Sequence, residues 1–357
     1  MVPAETARIR LARPDVGAEE AAAFEEVLAS GQLTMGPRVA EFEQALAEAC
    51  ETSDAVAVSS GTAALHVAVL AMGIGPGDEV LVPAYTFPAT ANVVRLVGGT
   101  PVLVDVDPES MNIDPAAAHA AATPRTKAVI AVHLFGRPAR LEELPDLPLL
   151  EDAAGALGAR RGGRACGSLG VAGCLSFHPR KIVTTGEGGA VTTSDEQIAA
   201  TARQWRHHGW NAAGSDMPIP ALNYRIPDLL CAIGTPQVRR LEALLAGRER
   251  VAAAYAERLA DLPVVLPRAD DGDRHGLQAY VIQVADRDRV KAELLAQGIE
   301  VQIGTYALHL LSAYRDAGDF PGAKHAFETA LALPFHSQLT DDELDRVAAA
   351  LTSVVSD

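Results

Sequence analysis

The chain has 357 residues, 48% of them hydrophobic and 21% charged, with a formal net charge of -16. That length supports a large core and two domains, and the apolar share is ordinary for a globular protein. So acidic a chain does not suit nucleic acid or an anionic membrane as its main partner, although a basic pocket for a small anion fits within it.

The four cysteines, Cys50, Cys166, Cys174 and Cys231, form no CxxC pair and no zinc-like spacing. Reduced thiols in the core of a soluble cytoplasmic protein are therefore expected. The first residues hold no apolar signal core, and no run reaches membrane-spanning length.

Residues 1–12 read as an extended lead-in. Apolar and alanine positions recur at helical spacing from Gly17 to Ala29, stopped by Ser30-Gly31, and again from Arg38 to Cys50. Ala55–Ser59 is a short buried strand, Ser60-Gly61-Thr62 a turn, and Ala63–Met72 an apolar helix. Gly73-Ile-Gly-Pro-Gly77 follows a helix and precedes the strand Glu79–Val82. That order is the reverse of a dinucleotide-binding fingerprint, so the glycines mark a turn. After Pro83–Thr90 opens the next helix, strands recur at Val102–Asp105, Ala128–Leu134 and Leu147–Glu151. Alternating strand and helix predicts a mainly parallel sheet covered on both faces.

Val171–Phe177 reads as a strand leading to Lys181 in a turn, and Ala190–Thr193 as a second strand beyond three glycines. In Trp205–Trp210, His207 and His208 are adjacent and do not share a helix face, which argues against a metal site. A long helix starts at Asp228, is kinked or broken at Pro236, and resumes through Leu259. A Pro, Asp and Arg-rich stretch over Asp261–Asp273 marks a junction between domains of residues 1–260 and 261–357. The second part reads as strand Gln278–Val284, helix Arg287–Gln297, strand Glu300–Ile303, helix Phe320–Leu331 and helix Asp341–Val354.

Three features carry chemistry. A desolvated lysine between buried strands can attack a carbonyl to form a Schiff base, which makes Lys181 more than a loop lysine. A helix N-terminus after a glycine turn can hold phosphate, although Ser60 or Thr62 as a plain helix cap explains the same residues. Asp152 ends an apolar strand, where ligands bind in open parallel sheets, and it also suits a helix cap. Pyridoxal phosphate catalysis requires all three together. In that reading Lys181 holds the aldehyde carbon, Asp152 keeps the pyridine nitrogen protonated, Gly61, Thr62 and Ser176 hold the phosphate, and Phe87 stacks on the ring.

The chain resembles the DegT/DnrJ/EryC1/StrS family of sugar aminotransferases nearly end to end. Gly36-Pro37 with Glu41-Phe42-Glu43, Ser60-Gly-Thr-Ala-Ala-Leu65, Thr86-Phe87-Pro-Ala-Thr90 and Glu151-Asp-Ala-Ala154 carry the likeness. Ser176-Phe-His-Pro-Arg-Lys181, Thr184-Thr-Gly-Glu-Gly-Gly-Ala190, Arg206-His-His-Gly209 and Asn223-Tyr-Arg225 extend it. Phe320-Pro-Gly-Ala323 and Leu333-Pro334 with Leu339-Thr340 complete it.

The resemblance implies a type I aminotransferase fold, an α/β architecture with a seven-stranded, mainly parallel sheet and a smaller C-terminal α/β domain. It implies a homodimer with shared active sites, in which Asn223 reaches the phosphate of the neighbouring subunit's cofactor. It also implies glutamate as amino donor and a nucleotide-linked keto sugar as acceptor. The Thr-Thr-Gly-Glu-Gly-Gly ending points to a 4-keto-6-deoxy sugar, and Tyr306 and His309 fall where relatives contact substrate.

Gly155 departs from the family's usual glutamine, whose amide meets the ring 3′-oxygen, so water or another side chain must serve there. That departure keeps a cyclitol or another ketone open as acceptor. Related sugar dehydratases carry histidine at the lysine position, which counts against dehydration. A cofactor-binding sensor would need a DNA-binding domain, for which this acidic chain has no room.

Overall fold

The computed structural model describes residues 8–355; most of the predicted lead-in, residues 1–7, lies outside that range. Helices α1 (Ala18–Ser30) and α2 (Pro37–Cys50) precede β1 (Asp54–Val58), α3 (Gly61–Ala71), β2 (Glu79–Pro83), β3 (Tyr85–Thr86) and α4 (Ala89–Leu96). Then come β4 (Thr100–Val104), α5 (Pro115–Ala121), β5 (Thr126–Val132), β6 (Leu149–Asp152), β7 (Arg160–Arg161) and β8 (Arg164–Ala165). Strands β9 (Ala172–Ser176) and β10 (Gly189–Thr193) flank the Lys181 turn, and α6 (Glu196–Arg206), α7 (Asp228–Arg239) and α8 (Leu241–Arg258) follow. The last part holds β11 (Tyr280–Gln283), α9 (Arg287–Ala296), β12 (Gln302–Ile303), β13 (Tyr306–Ala307), α10 (Pro321–Thr329), β14 (Ala330–Leu333) and α11 (Asp341–Val355).

Seven strands form one sheet in the order β1-β10-β9-β6-β5-β2-β4. Only β10 runs against the others, pairing antiparallel with both β1 and β9. This is the α/β architecture, with a seven-stranded and mainly parallel sheet, that the resemblance implies. Its central strands are apolar along their length because helices cover both faces; Val56, Val80, Ile130, Leu150 and Val191 are fully buried. The carboxyl ends of β5, β6 and β9 therefore open on the same edge, and so do the residues that follow them.

A second sheet, β11-β14-β12, packs with α9 and α11 around Tyr280, Ile282, Val290, Leu331 and Leu351. Val251, Tyr255 and Leu259 of α8 belong to that core, as does Ile9 from the N-terminal strap. Among the described residues no helix is long and apolar enough to cross a membrane.

Two predicted elements differ. The helix expected over Phe320–Leu331 stops at Thr329, and Ala330–Leu333 becomes the middle strand of the small sheet, bonded on both sides. Alanine and leucine suit a helix, but pairing two edges outweighs that weak preference. Nor does Pro236 end its helix. The chain stays helical to Arg239 and turns at Arg240, whose φ of -103° and ψ of 24° separate α7 from α8.

Candidate active site

Lys181 lies on the tight turn between β9 and β10. Thr184 Oγ1 and Thr185 N both donate to Phe177 O, at 2.9 and 3.0 Å, and Phe177 N donates to Gly188 O at 2.8 Å. The Gln237 side chain clasps Thr184, accepting from its N–H at 3.0 Å and donating to its carbonyl at 2.7 Å. Ile182 and Val183 are buried beneath. The lysine thus stands on a pinned loop with little freedom to swing.

Asp152 ends β6 and is 5% exposed. Thr90 Oγ1 donates to its Oδ2 at 2.7 Å and Ala154 N to its Oδ1 at 3.2 Å. Burial pushes the carboxyl pKa up, against the pull of Thr90, Ala154 and the Lys181 charge. Burial pushes the Lys181 ammonium down, opposed by Asp152 and reinforced by Arg180. A buried acid and a buried amine face one cleft, each short of the solvation its charge needs.

The third element is the start of α3. Ser60 caps it, its Oγ accepting from Ala63 N at 3.0 Å, which leaves the first N–H groups of the helix free for an anion. A Cβ at Gly61 would stand 2.8 Å from Ser176 Cβ and 3.1 Å from its Oγ. The glycine is therefore what lets the helix start and the Ser176 hydroxyl close on one spot. Ser60, Gly61, Thr62, Phe87, Asp152, Ser176 and Lys181 all line a cleft of about 560 Å³.

The structure separates the remaining residues from these. Tyr306 is 38% exposed, edge-on to Phe87 at 6.3 Å, and Phe87 is itself 60% exposed. Asn223 is exposed and outside the cleft lining, its Oδ1 accepting from Arg225 N at 3.2 Å. His309 also stands outside that lining. It is buried against Phe320, with neither ring nitrogen hydrogen-bonded among the described residues.

Sequence reasoning missed residues in the cleft and behind it. Thr90 was visible within the Phe87 motif but only the fold shows its bond to Asp152. Gln278 had no local signal. It reaches in from the small sheet, donates to Arg180 O at 3.3 Å, and its Oε1 would meet a Cβ at Gly155 at 3.3 Å. An amide thus occupies the space left open at residue 155.

Beneath Asp152, Glu151 accepts from Gly167 N at 2.7 Å, Leu169 N at 2.6 Å and Gly170 N at 2.8 Å. His133 Nε2 lies 2.8 Å from it, while His133 Nδ1 accepts from Ala139 N at 3.0 Å. That backbone donor holds the ring as the neutral Nε2–H tautomer, although the cluster with Glu151 and Cys166 pulls it towards protonation. Burial alone would raise the Glu151 carboxyl; His133 and the backbone donors keep it below its ordinary value. The cluster braces the strand end that presents Asp152, and His133 also reaches the cleft lining.

The family model for the DegT/DnrJ/EryC1/StrS aminotransferase family matches residues 14–352. A GDP-perosamine synthase of Caulobacter vibrioides is 40% identical over 338 residues, covering 90% of this chain and 91% of that one. DesV of S. venezuelae, solved in complex with a ketimine intermediate, superposes with a TM-score of 0.93 at 33% identity, over 99% of this chain and 100% of that chain. Spr1654 of Streptococcus pneumoniae in its PLP form gives 0.93 at 28% identity, over 98% and 99%. Fold, buried lysine and paired acid on one cleft define the class of PLP-dependent aminotransferases. The chain belongs to the DegT/DnrJ/EryC1/StrS aminotransferase family.

Proposed function

We propose that the chain transfers an amino group from glutamate to a nucleotide-linked 4-keto-6-deoxy sugar, with pyridoxal 5′-phosphate as cofactor. One observation carries this reading: Lys181, Asp152 and the free N-terminus of α3 line the same cleft. The residues fit the cofactor. The gap between Gly61 and Ser176 is a cradle that a single Cβ would fill, and the buried Asp152 lacks a full counter-charge suited to it.

When bound, the cofactor supplies an aldehyde for amine exchange and a ring that takes up carbanion electrons. Lys181 Nζ would hold the aldehyde carbon. With its pKa lowered, the free Nζ would be able to take a proton from the donor's α-carbon and return it one position away. Asp152, fixed by Thr90 and Ala154, holds a proton on the ring nitrogen. Gly61, Thr62 and Ser176 would hold the phosphate, Phe87 would cover a ring face, and the Gln278 amide would take the 3′-oxygen in place of a side chain at Gly155.

The relatives' names and the Thr184–Gly189 motif support a nucleotide-linked sugar and amination at C4. Asn223, exposed and off its own cleft, supports a reach into the site of a second copy. Leu33, Met35 and Leu222, respectively 44%, 42% and 53% exposed, support a covered face for that homodimer. Tyr306 at the mouth suits substrate contact; the buried place of His309 favours packing. Four buried free thiols support a reducing, cytoplasmic setting. Glutamate added to the cofactor-loaded protein should convert the bound cofactor to its amine form and release 2-oxoglutarate in equal amount. Cofactor that binds but stays unconverted would reject the donor.

A further inference from the structure

The structure assigns a second binding site to this chain, for a diphosphate-bearing anion, in a cavity walled by the N-terminal strap and the segment before α11. This cavity, of about 350 Å³, is lined by Arg8, Arg10, Arg13, His336, Gln338 and Glu343. None of these six lines the Lys181 cleft, and the inference is independent of the reaction proposed above.

Three guanidinium groups gather here in a protein whose net charge is -16. Arg8 pairs with Glu300 at 2.8 Å. Among the described residues, neither Arg10 nor Arg13 has a carboxylate partner, unlike most arginines of this chain. Glu343 is the one carboxylate among the six lining residues, so the lining keeps an excess of positive charge, and that carboxylate also caps α11. Its Oε2 accepts from Thr340 N at 3.0 Å, and Thr340 Oγ1 accepts from Glu343 N at 3.2 Å.

A second observation points to a ligand independently. His336 is 5% exposed, lines this cavity, and neither ring nitrogen has a hydrogen-bond partner among the described residues; Nδ1 is shut off from solvent and Nε2 is not. Burial lowers the His336 pKa, with Glu343 opposing and Arg248 and Arg13 adding to the effect. The ring is therefore neutral near pH 7; with Nδ1 shut away from solvent, Nε2 is the nitrogen whose N–H can be offered to a phosphate oxygen.

The frame is rigid, so the cavity is built rather than incidental. Phe335 N donates to Leu11 O at 2.8 Å, Ser337 Oγ to Asp15 Oδ2 at 3.0 Å, and Gln338 Nε2 to Pro14 O at 3.4 Å. These bonds flank His336 on both sides and hold its segment against the strap that carries the arginines. Leu11 and Ala12 of the same strap line a separate hollow with Arg180 and Gln278. The strap is thus a common support for the anion site and for two residues of the Lys181 cleft.

Guanidinium forks match phosphate oxygens in pairs, and two unpaired arginines with a neutral donor suit a diphosphate better than a lone carboxylate. The ligand is either inorganic pyrophosphate or the diphosphate of a nucleotide. Calorimetric titration of the cofactor-loaded protein at low salt distinguishes them, using pyrophosphate in one arm and uridine diphosphate in the other. Pyrophosphate should bind saturably, and the double variant R10Q/R13Q should bind it about 10–100-fold more weakly, since two charge-assisted contacts are lost. Both side chains are exposed, so that variant should keep its fold and its bound cofactor. His336→Gln, whose amide can place an N–H near the Nε2 position, should retain binding that His336→Leu weakens. Tighter binding of uridine diphosphate with the same loss in R10Q/R13Q makes the ligand a nucleotide; equal binding makes it the diphosphate alone. No saturable binding, or binding unchanged in R10Q/R13Q, overturns the site.

Discussion

Replacing Gly61 with alanine tests the phosphate cradle directly. The added Cβ would stand 2.8 Å from Ser176 Cβ and 3.1 Å from Ser176 Oγ, whereas carbon atoms in good contact sit at about 3.5–4.0 Å. Ser176 ends β9, a strand paired on both sides, so its Cβ cannot swing aside as a long side chain would. The start of α3 must shift instead, and such overpacking costs about 1–3 kcal/mol. Alanine's better helix preference returns only about 0.5–1 kcal/mol. Most of the displacement falls on the N–H groups and hydroxyl that face the phosphate, so affinity for pyridoxal phosphate should fall about 10–100-fold, at 1.4 kcal/mol for each factor of ten. The assay is titration of cofactor-free protein with pyridoxal phosphate, read by the visible absorbance of the lysine-bound form. An unchanged dissociation constant, with higher thermal stability from the alanine, would refute the reasoning.

Further outcomes follow from neighbouring residues. Lys181→Ala should bind cofactor without the lysine-linked absorbance and lose turnover altogether, checked by spectrum and steady-state rate. Asp152→Asn should keep cofactor bound yet lose about a hundredfold or more in turnover, some 2.7 kcal/mol of barrier, while Thr90→Val should lose less. Glu151→Gln replaces a four-donor acceptor with a group that cannot accept on both atoms; its unfolding free energy in urea should drop by about 1–3 kcal/mol. The Glu151 carboxyl is held below its ordinary pKa. Its stabilising contribution is therefore full above the unfolded pKa and is lost as pH falls through the folded one. Acid unfolding of the wild type should show that loss, and Glu151→Gln should show a flatter curve; identical curves would contradict the role given to Glu151.

The large sheet was legible because its strands are short apolar runs bounded by glycine, proline and polar turns. Their observed ends fall within about two residues of the expected ones. The small sheet was harder. Ala330–Leu333 carries no strand signature, and becomes one only because β11 and β12 offer edges on both sides. Tyr85–Thr86 and Tyr306–Ala307 pair over two residues each, too few for any period to register. Lys181, Asp152 and Gly61 could be picked out because each stands at the end of a strand or the start of a helix, where chemistry is exposed. Thr90 and Gln278 could not, since their roles depend on a residue distant in the chain: Asp152 in one case, the gap at Gly155 in the other. Asn223 lies beyond reach for a different reason, because its proposed partner atom belongs to a second chain.

The most direct test of the central claim is to reduce the cofactor-loaded protein with borohydride and map the modified peptide by mass spectrometry. The account predicts a single pyridoxyl adduct on Lys181, which glutamate added before reduction removes. An adduct on another lysine, or none on a protein that still turns over, would contradict it.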